Sequence, residues 1–422
     1  MAKPISTNVR DLRKNNRSRA LYALYLNGPM TRQELGIATT VSLATVSNVV
    51  GELLEQNVLI EAGVEDSEGG RPRTVLQINP SYGYVIGVDI GETGVLVELF
   101  DLRMEVLASH TSVPPTSDAL DPDTTVAQVV EGLDYVIAES GVNSELILGV
   151  GVGVPGLVSH GIDAVVDAQT VGWENVPFGK MLRRSTSLPL LVDNGAKNLG
   201  QAEKWFGAAR TADNAIIVLF GTGIGTCIIT DGERYRGSSS SAGEWGHTSV
   251  VVNGRTCPCG ASGCLEAYAG APAIVARYDE LRRRPSRPGS DDVVARLTAI
   301  ANAGPRDGSA ARVLEETATY LGTAIADLIN LFNPERIVVG GWAGTVLGER
   351  LLSRVREIAS TRALRLPFSQ VAIVPAELDL DAVALGAATL PMSQFLASGA
   401  APITRGASGR PLRAQRVGTS RS

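Results

Sequence analysis

Apolar and polar residues follow two different patterns along the chain, and the pattern changes at about residue 84. Before this point, apolar residues recur at the three- and four-residue spacing of amphipathic helices. After it, short apolar runs separated by glycine turns alternate with helical stretches at residues 125–140, 199–206 and 311–332. The pattern predicts a small helical unit followed by a larger α/β body.

The first 80 residues contain the start and stop signals of three short helices. The first helix is predicted over residues 9–26, and Gly28-Pro29 ends it. Its candidate core residues are Leu12, Leu21, Leu24 and Tyr25. Thr31 begins the second helix, and Glu34 completes a capping box three residues later. Ser42 caps the third helix after a short turn, which is the spacing of a helix-turn-helix.

The third predicted helix has one apolar face and one face of small polar groups. The apolar positions, which should face the core, are Val46, Val49, Val50 and Leu53. The opposite face and the cap offer Ser42, Ala44, Thr45, Ser47 and Asn48. Such side chains suit the base edges in a DNA major groove, so the helix is predicted to bind DNA. A three-helix bundle that serves only for dimerisation is the alternative.

Two short β-prone runs follow, at residues 58–60 and 74–76, and they predict a hairpin wing. Arg71 and Arg73 lie at or near its tip in the segment GGRPR, where they suit contact with phosphates or the minor groove. Three acidic residues in the same loop would repel DNA if they faced it. A winged helix-turn-helix over residues 1–80 is therefore predicted.

The body, predicted over residues 81–390, contains two similar strand pairs. Residues 84–101 read YVIGVDIGETGVLVELFD, and residues 215–232 read AIIVLFGTGIGTCIITDG. Two apolar strands around a glycine turn, repeated this far apart, predict two related lobes. Residues 281–289 are predicted to form a surface loop, and residues 391–422 a disordered basic tail.

The net charge of −6 is distributed unevenly over the 422 residues. Residues 1–40 carry 7 basic and 2 acidic side chains, whereas residues 81–390 carry 24 basic and 36 acidic ones. Nucleic acid binding is thus predicted only at the N-terminal end. No apolar run reaches the roughly 20 residues of a membrane span, and no secretory signal begins the chain. Four cysteines favour a reducing, cytoplasmic location.

Three of the four cysteines lie close to a histidine in the sequence. Cys257, Cys259 and Cys264 follow His247, which precedes the first of them by ten residues. Three thiolates and one imidazole make a closed tetrahedral zinc set, so one structural Zn²⁺ per chain is predicted in the loop 247–264. Buried free thiols beside an unrelated histidine are the alternative. Cys227, in an apolar run, is predicted to be a core residue.

Two carboxylates accompany the predicted zinc loop. Glu244 precedes His247 by three residues, and Glu266 closely follows the last cysteine. Held rigidly beside the imidazole, the two carboxylates could present hydrogen-bond acceptors to a polyol. The alternative, in which they only orient the metal ligands, stays open.

These segments resemble a known family. GEWGHTSVVVNGRTCPCGASGCLEAYAG, with GVGVPG and LFNPERIVVGG, is similar to the signature of the ROK family of repressors and sugar kinases. The resemblance covers residues 84–390 and implies a two-lobed actin-like α/β fold of the sugar kinase and Hsp70 type. The winged helix with GGRP resembles the repressor branch, because the simple sugar kinases lack it.

The resemblance also implies site residues. The sugar-hydroxyl ligands would be Asn194, Glu244, His247 and Glu266, with His247 also holding the zinc. The catalytic aspartate of the kinases is replaced by Gly195, and glycine cannot act as a general base. On the nucleotide side, Glu92, Thr226, Cys227 and Trp342 depart from the kinase pattern. The chain is therefore predicted not to be an enzyme.

Together these features predict a sequence-specific transcriptional regulator, most simply a repressor, whose affinity for a double-stranded DNA operator is lowered by a sugar or sugar derivative. A homodimer or a dimer of dimers would match two-fold operators. Two alternatives stay open. One is an ATP-dependent ROK sugar kinase with an appended DNA-binding domain, and the other is a regulator controlled by a protein partner near the zinc loop.

Overall fold

The computed structural model describes six stretches of the chain: residues 9–65, 72–91, 94–113, 120–159, 163–283 and 293–401. Several features predicted from the sequence fall outside these stretches. They are Arg71 at the wing, Glu92 in the first glycine turn, most of the predicted loop at 281–289, and residues 402–422.

Three helices open the described chain: α1 (Val9–Asn27), α2 (Arg32–Thr39) and α3 (Leu43–Glu55). The predicted capping box is present at α2. The Thr31 hydroxyl accepts a hydrogen bond from the Glu34 amide at 3.3 Å, and the Glu34 carboxylate accepts one from the Thr31 amide at 2.8 Å. Ser42 caps α3, and the directions of α2 and α3 differ by 115°. This arrangement confirms the predicted helix-turn-helix.

A small sheet lies beside these helices. It contains β1 (Met30–Thr31), β2 (Leu59–Glu65) and β3 (Arg73–Ile78) in the order β1-β3-β2, with both pairs antiparallel. Strands β2 and β3 are the two arms of the predicted hairpin. Residues 9–65 and 72–78 thus form a winged helix-turn-helix, here named the winged unit.

The core of the winged unit contains most of the apolar residues that the helical spacing predicted. Leu21 and Leu24 of α1 are buried, together with the apolar face of α3. The prediction for Leu12 was wrong, because 49% of this side chain is exposed. At this end, α1 meets α3 through ion pairs from Arg13 and Arg17 to Glu52, at 2.5 and 3.4 Å. Polar side chains therefore fill the contact, and Leu12 stays outside the core.

The first lobe is built on a five-stranded sheet. Its elements are β4 (Tyr84–Gly91), β5 (Gly94–Asp101), β6 (Val106–Ser112), α4 (Pro122–Ser140), β7 (Ile147–Val154), β8 (Leu157–Val158), β9 (Val166–Ala168), β10 (Trp173–Val176), α5 (Phe178–Ser185) and β11 (Leu190–Asn194). The sheet order is β11-β7-β4-β5-β6, and β8, β9 and β10 form a separate small sheet. Strands β4 to β6 form an antiparallel meander, while β7 and β11 run parallel to β4.

The second lobe repeats this arrangement. Its elements are α6 (Gly195–Phe206), β12 (Ala215–Phe220), β13 (Ile224–Thr230), β14 (Glu233–Arg234), α7 (Glu266–Ala269), α8 (Ala271–Leu281), α9 (Val293–Ala303), α10 (Gly308–Phe332), β15 (Arg336–Gly340), α11 (Trp342–Arg362), α12 (Arg365–Gln370) and β16 (Ala372–Pro375). The sheet order is β14-β13-β12-β15-β16, again a meander joined to parallel strands. Two related lobes are thereby confirmed.

The last described helix, α13 (Ala382–Ala397), corrects the predicted start of the disordered tail at residue 391. Met392, Phe395 and Leu396 are buried in a cluster shared with the winged unit. Averaging the composition over residues 391–422 obscures this apolar segment, because five arginines follow it. Burial of three apolar side chains keeps residues 391–397 helical.

Among the described residues, no single helix is long and apolar enough to cross a membrane. Helices α2 and α3 pass a length and composition test only when taken together as a bent pair. Several of their apolar residues, such as Leu35 and Leu53, are instead buried in the core of the winged unit.

Helix α13 lies in backbone contact with α6, and a matched pair of glycine substitutions tests this. A Cβ atom at Gly386 would overlap the carbonyl oxygen of Asn198, so Gly386→Ala should destabilise the protein by about 1–3 kcal/mol. In Gly344→Ala, a control on α11, the new atom would have no neighbour closer than 3.7 Å. That change should be neutral or slightly stabilising. Equal melting temperatures for the two variants would contradict the close contact.

Candidate functional site

Four potential metal ligands converge in the loop between β14 and α7. The ligand atoms of His247, Cys257, Cys259 and Cys264 all lie within 4.8 Å of one another. The Sγ atoms of Cys259 and Cys264 are 3.7 Å apart, and Sγ of Cys257 lies 3.6 Å from Nδ1 of His247. A tetrahedral ion with normal zinc bond lengths would place two sulfurs about 3.8 Å apart, and sulfur and nitrogen about 3.6 Å apart. The cluster could therefore bind a metal.

Backbone hydrogen bonds shape this segment, residues 247–264, which is named the metal loop. The amide of Cys257 donates to the carbonyl of Ala261 at 2.8 Å, and Ser249 and Cys264 form an antiparallel bridge. Gly263 has a φ of +86°, and a side chain there would overlap the carbonyl of Val251. The backbone of the loop and the contacts of Arg255 with Tyr268 and Glu280 therefore hold the four ligands together.

Cys227 is separate from this cluster, as the sequence predicted. It lies on β13, is 2% exposed, and packs against Gly200 of α6. Burial in apolar surroundings raises the pKa of its thiol to about 11. A thiol that stays protonated in the core is a packing residue.

Two predicted sugar ligands flank the metal loop. Glu244 comes just before a short 3₁₀ turn that ends at His247, and Glu266 begins α7. Glu266 is 8% exposed, and its carboxylate accepts a hydrogen bond from the Ile224 amide at 2.8 Å. Burial raises the pKa of Glu244, while the positive charge of Lys197 opposes the shift. The carboxylates therefore lie in one half-buried region with the imidazole.

Asn194 reaches the same region from the first lobe. It caps α6, where its Oδ1 accepts from the Lys197 amide at 3.2 Å, and its Nδ2 donates to the carbonyl of Gly156 at 2.6 Å. Lys197 connects the two sides, because both Asp193 and Glu244 act on its pKa, which burial lowers. Its ammonium group donates to the carbonyl of Ser240.

Ion pairs connect the two lobes at this point. Asp193, at the end of β11, is 3% exposed and pairs with Arg234 and Arg236 of the second lobe at 3.4 and 3.2 Å. Sequence reasoning missed Lys197 and the two arginines, because nothing local distinguishes them from surface charges. With the predicted ligands they define the interlobe cleft: Asp193, Asn194, Lys197, Arg234, Arg236, Glu244, His247 and Glu266.

The residues predicted to contact DNA lie on the outer face of α3. Ser42, Ala44, Ser47 and Asn48 are exposed, and Thr45 is partly exposed. The hydroxyl of Ser47 donates to the carbonyl of Leu43 at 2.8 Å. Arg73, at the base of the wing, is exposed as well.

Two apolar residues beside this face were missed in the sequence. Leu43 is 57% exposed and Ile37 is 72% exposed, and they flank the turn between α2 and α3. Apolar groups at such a position suit the methyl group of thymine. The sequence gave no sign that these two side chains are exposed, because residue type alone does not distinguish an exposed apolar residue from a buried one.

The comparisons with known proteins agree with this architecture. The model of the ROK family matches residues 85–394. The chain belongs to the ROK family. It is 29% identical to the xylose repressor of Caldicellulosiruptor bescii, over 91% of this chain and 97% of that protein. It is 30% identical to the N-acetylglucosamine repressor of Escherichia coli O6:H1, over 87% of this chain and 90% of that one.

Two solved ROK structures match different shares of the chain. A ROK family transcriptional regulator, described as a homologue of the Escherichia coli MLC protein, matches 92% of this chain with a TM-score of 0.73 and 25% identity, and 98% of its own length is covered. A ROK glucokinase from Streptomyces griseus, bound to glucose and AMPPNP, matches 73% of the chain and 99% of its own, with a TM-score of 0.62 and 29% identity. The predicted function is thus confirmed as that of a ROK-type transcriptional regulator with a sugar-kinase-like body.

The charged contact between the ROK lobes can be tested by removing its acidic member. Asp193→Asn should destabilise the protein by about 2–4 kcal/mol, because Arg234 would keep a mostly buried charge without its carboxylate. Glu315→Gln is a matched control. Glu315 is 50% exposed where it pairs with Arg354, so this change should cost less than about 1 kcal/mol. Similar thermal stability of the two variants would contradict a structural role for Asp193.

Proposed function

We propose that the protein is a transcriptional repressor whose affinity for its operator falls when a sugar binds in the interlobe cleft. One observation carries this proposal: a winged unit with an exposed polar face on α3 is packed against a ROK body within a single chain. The names of the relatives as xylose and N-acetylglucosamine repressors support the proposal. So does the ROK regulator structure, which matches both parts of the chain.

In this proposal, α3 enters the major groove and presents Ser42, Ala44, Thr45, Ser47 and Asn48 to the bases. Arg73 and Arg71 at the wing contact the phosphate backbone or the minor groove. A homodimer, or a dimer of dimers, would hold two copies of α3 about 34 Å apart, one turn of the double helix. Each copy would then bind half of a two-fold operator.

A comparison of two asparagines tests the base contact. Asn48→Ala should weaken binding to the operator by about 1–3 kcal/mol, because a side-chain amide can form paired hydrogen bonds with one base. Asn302→Ala, at an exposed position of α9 in the body, should leave operator binding unchanged. Binding is measured by fluorescence anisotropy at fixed salt, with unrelated DNA as the reference. An Asn48 variant that binds the operator like the wild type would contradict the assignment.

For the metal loop we propose one structural Zn²⁺ per chain, held by His247, Cys257, Cys259 and Cys264. Three soft thiolates and an imidazole at tetrahedral spacing favour this ion. Thiolates must stay reduced to hold it, which agrees with a cytoplasmic location. Because Nδ1 of His247 faces the sulfurs, a bound ion would leave the proton on Nε2. That group could then donate a hydrogen bond to a sugar hydroxyl.

Replacing two of the thiols tests the metal. The double variant Cys257→Ser, Cys259→Ser should lose its zinc and melt at a markedly lower temperature, because binding of a structural ion contributes to folding free energy. Cys227→Ala is the control and should keep one zinc per chain, since this thiol lies outside the cluster. Zinc content is measured by elemental analysis. An unchanged melting temperature and metal content in the double variant would overturn the site.

For the sugar we propose hydrogen bonds from Asn194 on one side of the cleft and from Glu244, His247 and Glu266 on the other. The two carboxylates accept from hydroxyl groups, and the imidazole donates. A sugar held in this way touches both lobes and would favour one lobe arrangement. Ligand binding can shift the operator affinity only to the extent that the two arrangements bind the sugar differently.

We further propose that the ROK body does not transfer phosphate. Gly195 supplies no base at the position of the kinases' aspartate. The indole of Trp342 lies against the second glycine turn, because a Cβ atom at Gly221 would be 2.9 Å from its Nε1. This turn corresponds to the phosphate hairpin of the kinases, so the indole would obstruct a nucleotide.

Two assays on the purified protein distinguish a regulator from a kinase. Thermal denaturation with D-xylose, N-acetylglucosamine and glucose should give a rise in melting temperature with one of them, as expected for a ligand that binds the folded state. A coupled assay should detect no ADP formation with that sugar and MgATP. ADP formed in proportion to the protein would establish the sugar kinase alternative. The absence of any thermal shift would contradict the proposed effector class.

A further inference from the structure

Helix α6 begins in the interlobe cleft. Its cap is Asn194, and Lys197 in its first turn carries a buried ammonium group. The helix contains 12 residues, which at 1.5 Å each gives a length of about 18 Å. Any displacement of its first turn in the cleft therefore reaches its other end if the helix moves as a rigid body.

Contacts along its length couple α6 to both lobes. Gly200 faces β13 so closely that a side chain would overlap Cys227. On the other side, Asn198 presents its carbonyl to Gly386 of α13, again without room for a side chain. A helix packed at backbone distance on two sides cannot absorb a displacement by small side-chain movements. It moves with its neighbours.

The far end of α6 is fixed as well. Glu203 is fully buried, and its carboxylate accepts hydrogen bonds from the amides of Ala208 at 2.7 Å and Leu378 at 3.0 Å. These bonds tie the last turn of the helix to the loops on either side of it. Trp205 and Phe206 end the same helix, so its position determines theirs.

Trp205 and Phe206 contact the winged unit directly. The ring centroid of Trp205 lies 5.3 Å from that of Tyr25 and 6.5 Å from that of Tyr22, both on α1. Phe206 lies 6.2 Å from Tyr25. Just beyond the helix, Arg210 donates to the carbonyl of Leu26 at 2.9 Å. Aromatic pairs in edge geometry contribute about 0.5–1.5 kcal/mol each beyond their buried area.

The winged unit also contacts α13. The hydroxyl of Tyr22 donates to the carbonyl of Ser393 at 3.2 Å, and Arg17 donates to the carbonyl of Gly399 at 2.7 Å. Helix α1 therefore rests on two helices at once, α6 and α13. A change in the packing of α6 against α13 must move α1 or break one of its contacts.

We propose that α6 transmits sugar occupancy from the cleft to the winged unit, and that Trp205 is the positioning residue through which it does so. This inference rests on the proposed function, since it names the route by which a sugar would lower operator affinity. Trp205 touches neither the cleft nor the DNA-reading face of α3. It acts by holding α1 at an orientation that depends on α6.

Two buried polar groups, one on α6 and one on α1, support a second packing arrangement of these helices. The side-chain amide of Asn198 and the hydroxyl of Tyr25 are buried and have no hydrogen-bond partner among the described residues. A buried polar group without a partner costs about 1–3 kcal/mol. A shifted packing of α6 against its neighbours could give both groups a hydrogen-bond partner.

The test compares the operator affinity of three proteins with and without the sugar that stabilises the wild type, chosen from D-xylose, N-acetylglucosamine and glucose. For the wild type the sugar should raise the operator Kd by a factor in the usual allosteric range, roughly 5–150-fold. Trp205→Ala should bring this factor close to one. The affinity of the DNA-free protein for the sugar should change little. Trp205→Phe, which keeps an aromatic contact, should restore part of the factor.

Tyr82→Ala is the matched control. Tyr82 lies 5.7 Å from Phe395 of α13, so its loss weakens the contact with α13 but leaves Trp205 in place. This variant should keep the wild-type factor. A Trp205→Ala protein with an unchanged factor, or a Tyr82→Ala protein that loses it equally, would overturn the proposal. In both cases the sugar response of the wild type would stand, so the proposed function would be unaffected.

Hydrogen exchange in the wild type provides a test if Trp205→Ala does not fold. The same sugar should change amide exchange in peptides covering residues 203–206 and 20–26, in addition to those of the cleft. Changes confined to the cleft would overturn the route through α6. A wild type that binds sugar but keeps its operator affinity would contradict the proposed function instead.

Discussion

The close packing of α13 against α6 is the contact on which the rest of the molecule depends. At Gly386 the two helices touch through backbone atoms, because a side chain at this position would overlap the carbonyl of Asn198. Helix α13 also packs against β4 and β7 of the first lobe, while α6 packs against β12 and β13 of the second. The pair therefore forms the joint between the lobes. The winged unit rests on the ends of the same two helices, so all three parts of the chain meet at one place.

Neighbouring residues of the interlobe cleft have different proposed roles, some structural and some in ligand recognition. The backbone of the metal loop brings His247 and three thiols together and holds Glu244 and Glu266 next to them. Across the cleft, Asp193 is neutralised by Arg234 and Arg236. We propose that Gly195, at the position of the kinases' aspartate, leaves the site without the base that phosphate transfer would need. In the proposed function, this polar cleft binds a sugar without activating its hydroxyl groups.

Local signals made much of this structure predictable, and non-local contacts account for what was missed. The caps at Thr31 and Ser42 and the spacing within α3 are each set by a few neighbouring residues. The four potential metal ligands lie between residues 247 and 264, so the sequence displays them directly as well. The pairing of Asp193 with Arg234 joins residues 41 positions apart, and the contact of Trp205 with Tyr25 spans two domains. Neither leaves a pattern in one sequence. The tail was misjudged because its arginines outweighed Phe395 and Leu396 in the average.

In the proposed mechanism, the cleft and the DNA-reading face share one equilibrium. If so, thermodynamic linkage requires that the operator weaken sugar binding by the same factor by which the sugar weakens operator binding. The direct measurement is a calorimetric titration of the stabilising sugar into the protein, alone and saturated with operator duplex. We expect a higher sugar Kd for the operator complex. Equal sugar affinity for the two forms would contradict it.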